Sequence, residues 1–291
     1  MPRLATQLER SSVVIAIGGA AVRIHTTDVD FLQMLEDRYA GFLSAEAGAD
    51  FDFDVHLVPP ATANPDADVS VSHRSGRWFM ERGDFRAEWD PAARRGWIQQ
   101  SANPYSIDAV LRIMHTLMLA RQGGFLLHSA SAIRHGKAFL FAGVSGAGKT
   151  TISRLAPADA ILLTDEISYV RKLDVRKLDS SELEGSGEIF SQKSGGYVAY
   201  GTPFTGELAK LGENTSAPVA ALYLLAKGAE NRIDPVTVSE AGRELLANML
   251  FFAEDRELVY SAFQATCDFV HCVPVYRLTF VPDARVWEMI G

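Results

Sequence analysis

"AFLFAGVSGAGKTTISRLAPADAILLTDE", residues 138–166, packs an apolar run, a glycine-rich loop and two adjacent acids into 29 positions. Ala138 to Ala142 read as a buried strand, and "GVSGAGKT", Gly143 to Thr150, matches GxxxxGK[ST] with a helix start, "KTTISRL", directly behind it. That order is the one a phosphate-binding loop requires. Its glycines let backbone N–H groups point at phosphate oxygens, and the helix N-terminus adds its positive end. Gly143, Ser145, Gly146, Ala147, Gly148, Lys149, Thr150 and Thr151 are therefore the nucleotide-binding candidates. Lys149 is expected as a solvent-facing charge that neutralises the outer phosphates, and Thr150 as a hydroxyl ligand of Mg²⁺.

Pro157 stops the helix, and "AILLTDE" then reads as a buried strand ending in Asp165 and Glu166. Lys149 and Asp165 are 16 positions apart, close to the shortest strand–helix–strand crossover of about 10 to 12 residues. The acids thus come from the next strand in the chain and should lie near the loop, where one carboxylate holds the metal and the other takes a proton from an incoming hydroxyl. This spacing separates the chain from other phosphate-loop classes. A transporter ATPase has a long helical segment and a signature before its acidic motif, whereas "KSGGY" comes here after the acids. A GTPase needs NKxD to read guanine, and "NRID" carries Arg232 in place of the lysine.

Upstream, "FLLHSASAI", "RHGK" and "AFLFAG" read as a β-hairpin turning at His135-Gly136. In that register paired residue numbers sum to 271, which sets His128 opposite Gly143. His128 is then a candidate partner for the acids, with core packing as the plainer alternative.

The rest of the chain reads as scaffold. Residues 1–104 alternate like an antiparallel layer, with turns at Ser75-Gly76, Gly83-Asp84 and Asp90-Pro91 and one helix capped by Asp28 or Asp30, giving a small α+β N-terminal domain. "VVIAIGGAAV" superficially resembles a secretory signal, but Glu9 before it and Arg23 after it favour a hairpin. A helix over 105–122 stops at Gly123-Gly124, and residues 105–291 form the second domain. Its last third contains a strand "VAALYLLAKG", helices "SEAGRELLANMLFF" and "DRELVYSAFQATCDFVHC", and a strand "PVYRLTFVP". The segment 171–200 reads as a long surface loop; Arg171, Lys172, Arg176 and Lys177 either steer an acidic peptide or simply solvate it.

A formal charge of −8 argues against nucleic acid as a partner, and no uncharged apolar run reaches the roughly 18 residues of a membrane span. A cytoplasmic protein is expected. Cys267 and Cys272 with His271 do not make a zinc site, so both thiols are expected to be reduced and in or near a core.

Taken together, "LLHSASA", the GxxxxGK[ST] loop and the acidic pair resemble HPr kinase/phosphorylase and, more distantly, ATP-dependent phosphoenolpyruvate carboxykinase. "GTPFTGEL", Gly201 to Leu208, is similar to a segment of the bacterial HPr-kinase-related proteins and adds Glu207 as a candidate. The resemblance covers about residues 105–291 and is most specific over 125–170. It implies an α/β fold, a mixed-sheet P-loop kinase core of the HPr kinase/phosphoenolpyruvate carboxykinase type, and transfer of the γ-phosphoryl group of ATP to a serine hydroxyl with Mg²⁺. Catalytic candidates are Asp165, Glu166, His128 and Lys149; metal candidates are Thr150 and Asp165. Either acid can be the base, and Asp165 is set on the metal side with Glu166 near the hydroxyl. The chain departs from the family in having Asp-Glu rather than two aspartates and in lacking its glutamate-arginine-glycine segment, which removes HPr as the assumed acceptor. A serine of a protein or peptide, including a small ribosomal peptide, leads. A metabolite such as free serine, and an ATP-binding regulator without transfer, are the alternatives. A homo-oligomer is compatible with all three.

Overall fold

The computed structural model describes residues 10–45, 48–60, 68–173, 196–251 and 255–291. The chain forms two compact units, Met1–Arg112 and Ile113–Gly291.

In the first unit β1 (Ser11–Ile17) and β2 (Ala20–Thr26) form a hairpin, followed by α1 (Val29–Arg38). Asp28 caps α1 by accepting the Phe31 N–H at 2.8 Å. Strands β3 (Phe51–Leu57), β4 (Ser70–Arg74), β5 (Arg77–Arg82), β6 (Phe85–Asp90) and β7 (Arg95–Gln100) complete a sheet ordered β1-β2-β3-β7-β6-β5-β4. Burial alternates along its strands: Val22, Ile24 and Thr26 of β2 are buried while Arg23 and His25 between them are not. One face therefore packs and the other meets solvent. Asp108, buried on α2 (Pro104–Ala120), accepts hydrogen bonds from Tyr39 Oη at 2.6 Å and Arg38 Nη2 at 2.5 Å. The division between the units falls within α2.

The second unit is organised around β8 (Phe125–Arg134) and β9 (Lys137–Ala142). They form the expected hairpin, with His135 at φ 48° and Gly136 at φ 73° in the turn, and pairs from Arg134↔Lys137 to Ser129↔Ala142 that sum to 271. The ladder ends one residue short of His128, whose partner is Ile167 on the other side. After β9 come α3 (Lys149–Arg154), β10 (Ile161–Thr164), β11 (Ile167–Lys172), β12 (Tyr197–Tyr200) and β13 (Ser216–Lys227). Then follow β14 (Arg232–Pro235), α4 (Val238–Asn248), β15 (Met249–Leu250), α5 (Arg256–Cys272) and β16 (Val275–Phe280).

Pairing closes five of these strands into a circuit, β8–β9–β13–β12–β11 and back to β8, a small barrel. In this unit β9 and β16 run parallel to β13 and the other pairings are antiparallel, whereas the first unit departs from the antiparallel layer expected of it, since β3 runs parallel to both β2 and β7. The helix expected to run through "ANMLFF" ends instead at Asn248, and Met249 and Leu250 pair with Leu127 and Leu126 of β8. The physical reason is that β9 stops at the level of Ser129, leaving backbone groups of β8 that need partners.

Both faces of this sheet are covered. Leu140 and Ala142 belong to one core cluster with Leu127, Leu245 and Phe269, while Phe139 and Phe141 belong to another with Ile152, Tyr223 and Trp287. No helix among the described residues is long and apolar enough to cross a membrane.

Candidate functional site

The glycine-rich loop leaves the C-terminal end of β9 and enters α3 through Gly148 at φ 116°. A Cβ at that position would lie 2.7 Å from Phe280 Cζ, so both backbone conformation and space call for glycine. Lys149 differs from the solvent-facing charge expected of it. It is 8% exposed and donates to the Gly143 carbonyl at 2.8 Å. Burial pushes its pKa down, against the opposing pull of Glu166 and Glu207.

The acids sit at a break in a strand. β10 pairs with β8 up to Thr164↔Ser131, and β11 resumes at Ile167↔His128, so Asp165 and Glu166 fill the two ladder places between. Thr164 makes the break: its Oγ1 accepts the N–H of Glu166 at 3.1 Å and of Ile167 at 3.2 Å, substituting for sheet partners. β8 therefore lies between β9 and the acid-bearing strand.

Released from the ladder, the two carboxylates enter different surroundings. Glu166 is half-buried, with Oε1 3.5 Å from His128 Nε2. Asp165 is 2% exposed; its Oδ1 accepts the Gly206 N–H at 2.9 Å and its Oδ2 the Leu208 N–H at 2.8 Å. The segment around Gly206 is pinned to the same strand by Thr202 N–H to the Leu163 carbonyl (3.1 Å), Thr202 Oγ1 to the Ile167 carbonyl (2.8 Å) and Glu213 N–H to the Leu162 carbonyl (2.9 Å). It brings Glu207 Oε2 to 3.3 Å from Thr150 Oγ1, which donates to it.

These groups line one cavity of about 450 Å³, whose wall contains His128, Ser145, Gly146, Gly148, Lys149, Thr150, Thr151, Asp165, Glu166, Gly206, Glu207 and Lys227. Two candidates are not in its wall. Ala147 is buried in the core, and Gly143 contributes its carbonyl to Lys149. Lys227 was not anticipated. It closes β13, the parallel neighbour of β9, so it emerges at the same strand end as the loop. The available signal was the lysine ending the apolar run "VAALYLLAK". Among the described residues no three His, Cys, Asp or Glu side chains are grouped to hold a metal by themselves.

Arg171 and Lys172, expected in a surface loop, lie instead at the end of β11 and are only partly exposed. Arg171 bonds Tyr200 and lies over its ring at 4.8 Å, and Lys172 pairs with Asp268 at 2.6 Å; Arg176 and Lys177 lie outside the described residues. Cys267 and Cys272 are free thiols; Cys267 is partly buried, while Cys272, at the end of α5, is exposed and not in the core expected of it.

The profile of one family, SynChlorMet cassette protein ScmC, matches residues 100–291. The chain belongs to the ScmC family. The ScmC match takes in the glycine-rich loop, the strand break with its two acids and the segment carrying Glu207, that is, every residue in the cavity wall. No curated protein matches the chain.

Proposed function

We propose that the chain is an ATP- and Mg²⁺-dependent kinase that transfers the γ-phosphoryl group to a serine hydroxyl of a protein or peptide, on a core of the HPr kinase/phosphoenolpyruvate carboxykinase type. The observation that carries this reading is the convergence of a phosphate-loop lysine and threonine with a histidine-contacted glutamate in one cavity. The donor set fits ATP with Mg²⁺: Lys149 and Lys227 supply positive charge, and the adjacent oxygens of Thr150 and Glu207 are hard ligands of the kind Mg²⁺ takes. Mg²⁺, when bound, neutralises charge on the β- and γ-phosphates.

Glu166 accepts the proton of the serine hydroxyl while that oxygen bonds to the γ-phosphorus and the bond to the ADP oxygen breaks. His128 orients the Glu166 carboxylate through the 3.5 Å contact. Lys149 shifts from the Gly143 carbonyl to the phosphates, since an ammonium at a neutral carbonyl gains more from an anion. On this reading the reaction takes place in the cytoplasm, and the acceptor can be as small as a ribosomal peptide.

Incubating wild-type and Lys149→Ala protein with γ-labelled ATP, Mg²⁺ and an extract of the source cell tests the reading. Label in a protein or peptide with wild type alone is expected. Label in a metabolite moves the acceptor to a small hydroxyl compound, and ATP bound without any transfer makes the chain a regulator.

A further inference from the structure

We infer that Asp165 is a positioning residue and that Glu207, with Thr150, supplies the protein oxygens of the divalent-cation site. This rests on the kinase reading and reassigns roles within it. Asp165 touches the cavity wall, but its two oxygens already accept the backbone N–H groups of Gly206 and Leu208, the residues on either side of Glu207. A buried carboxylate bonded at both oxygens is fixed in place, and what it fixes is the backbone of Glu207. The Glu207 carboxylate is thereby delivered to Thr150, oxygen to oxygen at 3.3 Å.

Three further contacts support the clamp. The Phe204 carbonyl accepts from Thr164 Oγ1 at 3.3 Å, and Thr202 is held at both its N–H and its hydroxyl, so the segment is anchored before it reaches Glu207. At Gly206 a Cβ would lie 3.0 Å from Asp165 Oδ2 and 2.7 Å from Glu166 Oε2, so the backbone approaches both acids as closely as glycine allows. The adjacent acids thus divide the work. Asp165 acts through Glu207, and Glu166 faces His128 and the acceptor side.

The experiment is a Mn²⁺ titration in the presence of ATP, followed by electron paramagnetic resonance, on full-length wild type, Glu207→Gln, Asp165→Asn and the double variant, with melting temperatures alongside. Glu207→Gln is expected to melt like wild type and to bind Mn²⁺ at least about tenfold more weakly. Asp165→Asn is expected to lose about 10- to 100-fold in Mn²⁺ affinity, the range for residues that orient a metal ligand, and to melt lower. In the double variant Asp165→Asn should add no further loss. Wild-type Mn²⁺ affinity in Glu207→Gln, or an additive loss in the double variant, overturns the assignment while leaving the kinase reading standing. Glu207→Gln decides the matter even where Asp165→Asn does not fold. Wild-type protein that binds no Mn²⁺ with ATP overturns both.

Discussion

The two sheets of the molecule bury their strands in opposite ways. In the first unit burial alternates, and the polar positions of β2 and β3 meet on one face, where His25 Nε2 lies 2.9 Å from Asp52 Oδ1. In the second unit β8 is covered on both faces, and only His128 and Arg134 of its ten residues escape full burial. A polar group on an alternating sheet has solvent as its default partner and so says little. On a sheet buried from both sides it needs a protein partner, a cavity or a cost. His128 on β8 has the cavity, and His115, on α2 and packed against Tyr169 of β11, has the cost.

The sharpest way to break this contrast is at the acid that escapes burial. Glu166→Gln should lower the rate of phosphoryl transfer by about 10² to 10⁴ with ATP affinity nearly unchanged; single-turnover kinetics with wild-type rates would return Glu166 to the scaffold. The first unit should respond to the opposite kind of loss. Asp108→Ala removes the buried carboxylate that Arg38 and the Tyr39 hydroxyl bond and should cost about 3–5 kcal/mol in urea unfolding, while the folded fraction keeps its transfer rate.

His115 tests the cost directly. It is fully buried against the Tyr169 ring, neither ring nitrogen has a hydrogen-bond partner among the described residues, and burial pushes its pKa from 6.5 down to about 4. The unfolded chain therefore binds this proton more readily than the folded one. The associated stability is complete above pH 6.5, drains as pH falls toward 4, and is flat below. At 1.36 kcal/mol per pH unit the loss is about 3 kcal/mol. His115→Phe keeps an aromatic ring at the site and should remove that acid slope, as judged by unfolding midpoints across the window. The smallest effect is expected at His128→Ala, about ten- to a hundredfold slower transfer, as part of the contribution of the base it orients. A shifted pH–rate profile with an unchanged melting temperature is the expected signature; a purely thermal defect would make His128 core packing.

Local chemistry made much of this legible in the sequence. The hairpin register followed from His135-Gly136 alone, because a two-residue turn leaves no other pairing, and it placed Ser129 opposite Ala142 as found. The glycine-rich turn between β9 and α3 was readable because its glycines are close in sequence. What could not be read depends on long-range pairing. Lys227 reaches the cavity only because β13 runs parallel to β9. Asp165 looks like half of an acidic pair until the amides of Gly206 and Leu208, more than forty positions away, are seen on its oxygens. The barrel closure through β12 was equally hidden, since four residues, Tyr197 to Tyr200, gave no periodic signal.

Trp287 bears on how any of this would be observed. Its buried indole donates to the Ile152 carbonyl at 3.0 Å, at the helix that follows the glycine-rich loop, and it packs edge-on to Phe141 of the strand that precedes the loop. Of the four tryptophans, Trp78, Trp89 and Trp97 all belong to the first unit. The second unit therefore carries one tryptophan, in contact with the strand before the glycine-rich loop and the helix after it, and with the other three replaced its selectively excited emission can report on that loop without a dye, a label or an assay of turnover.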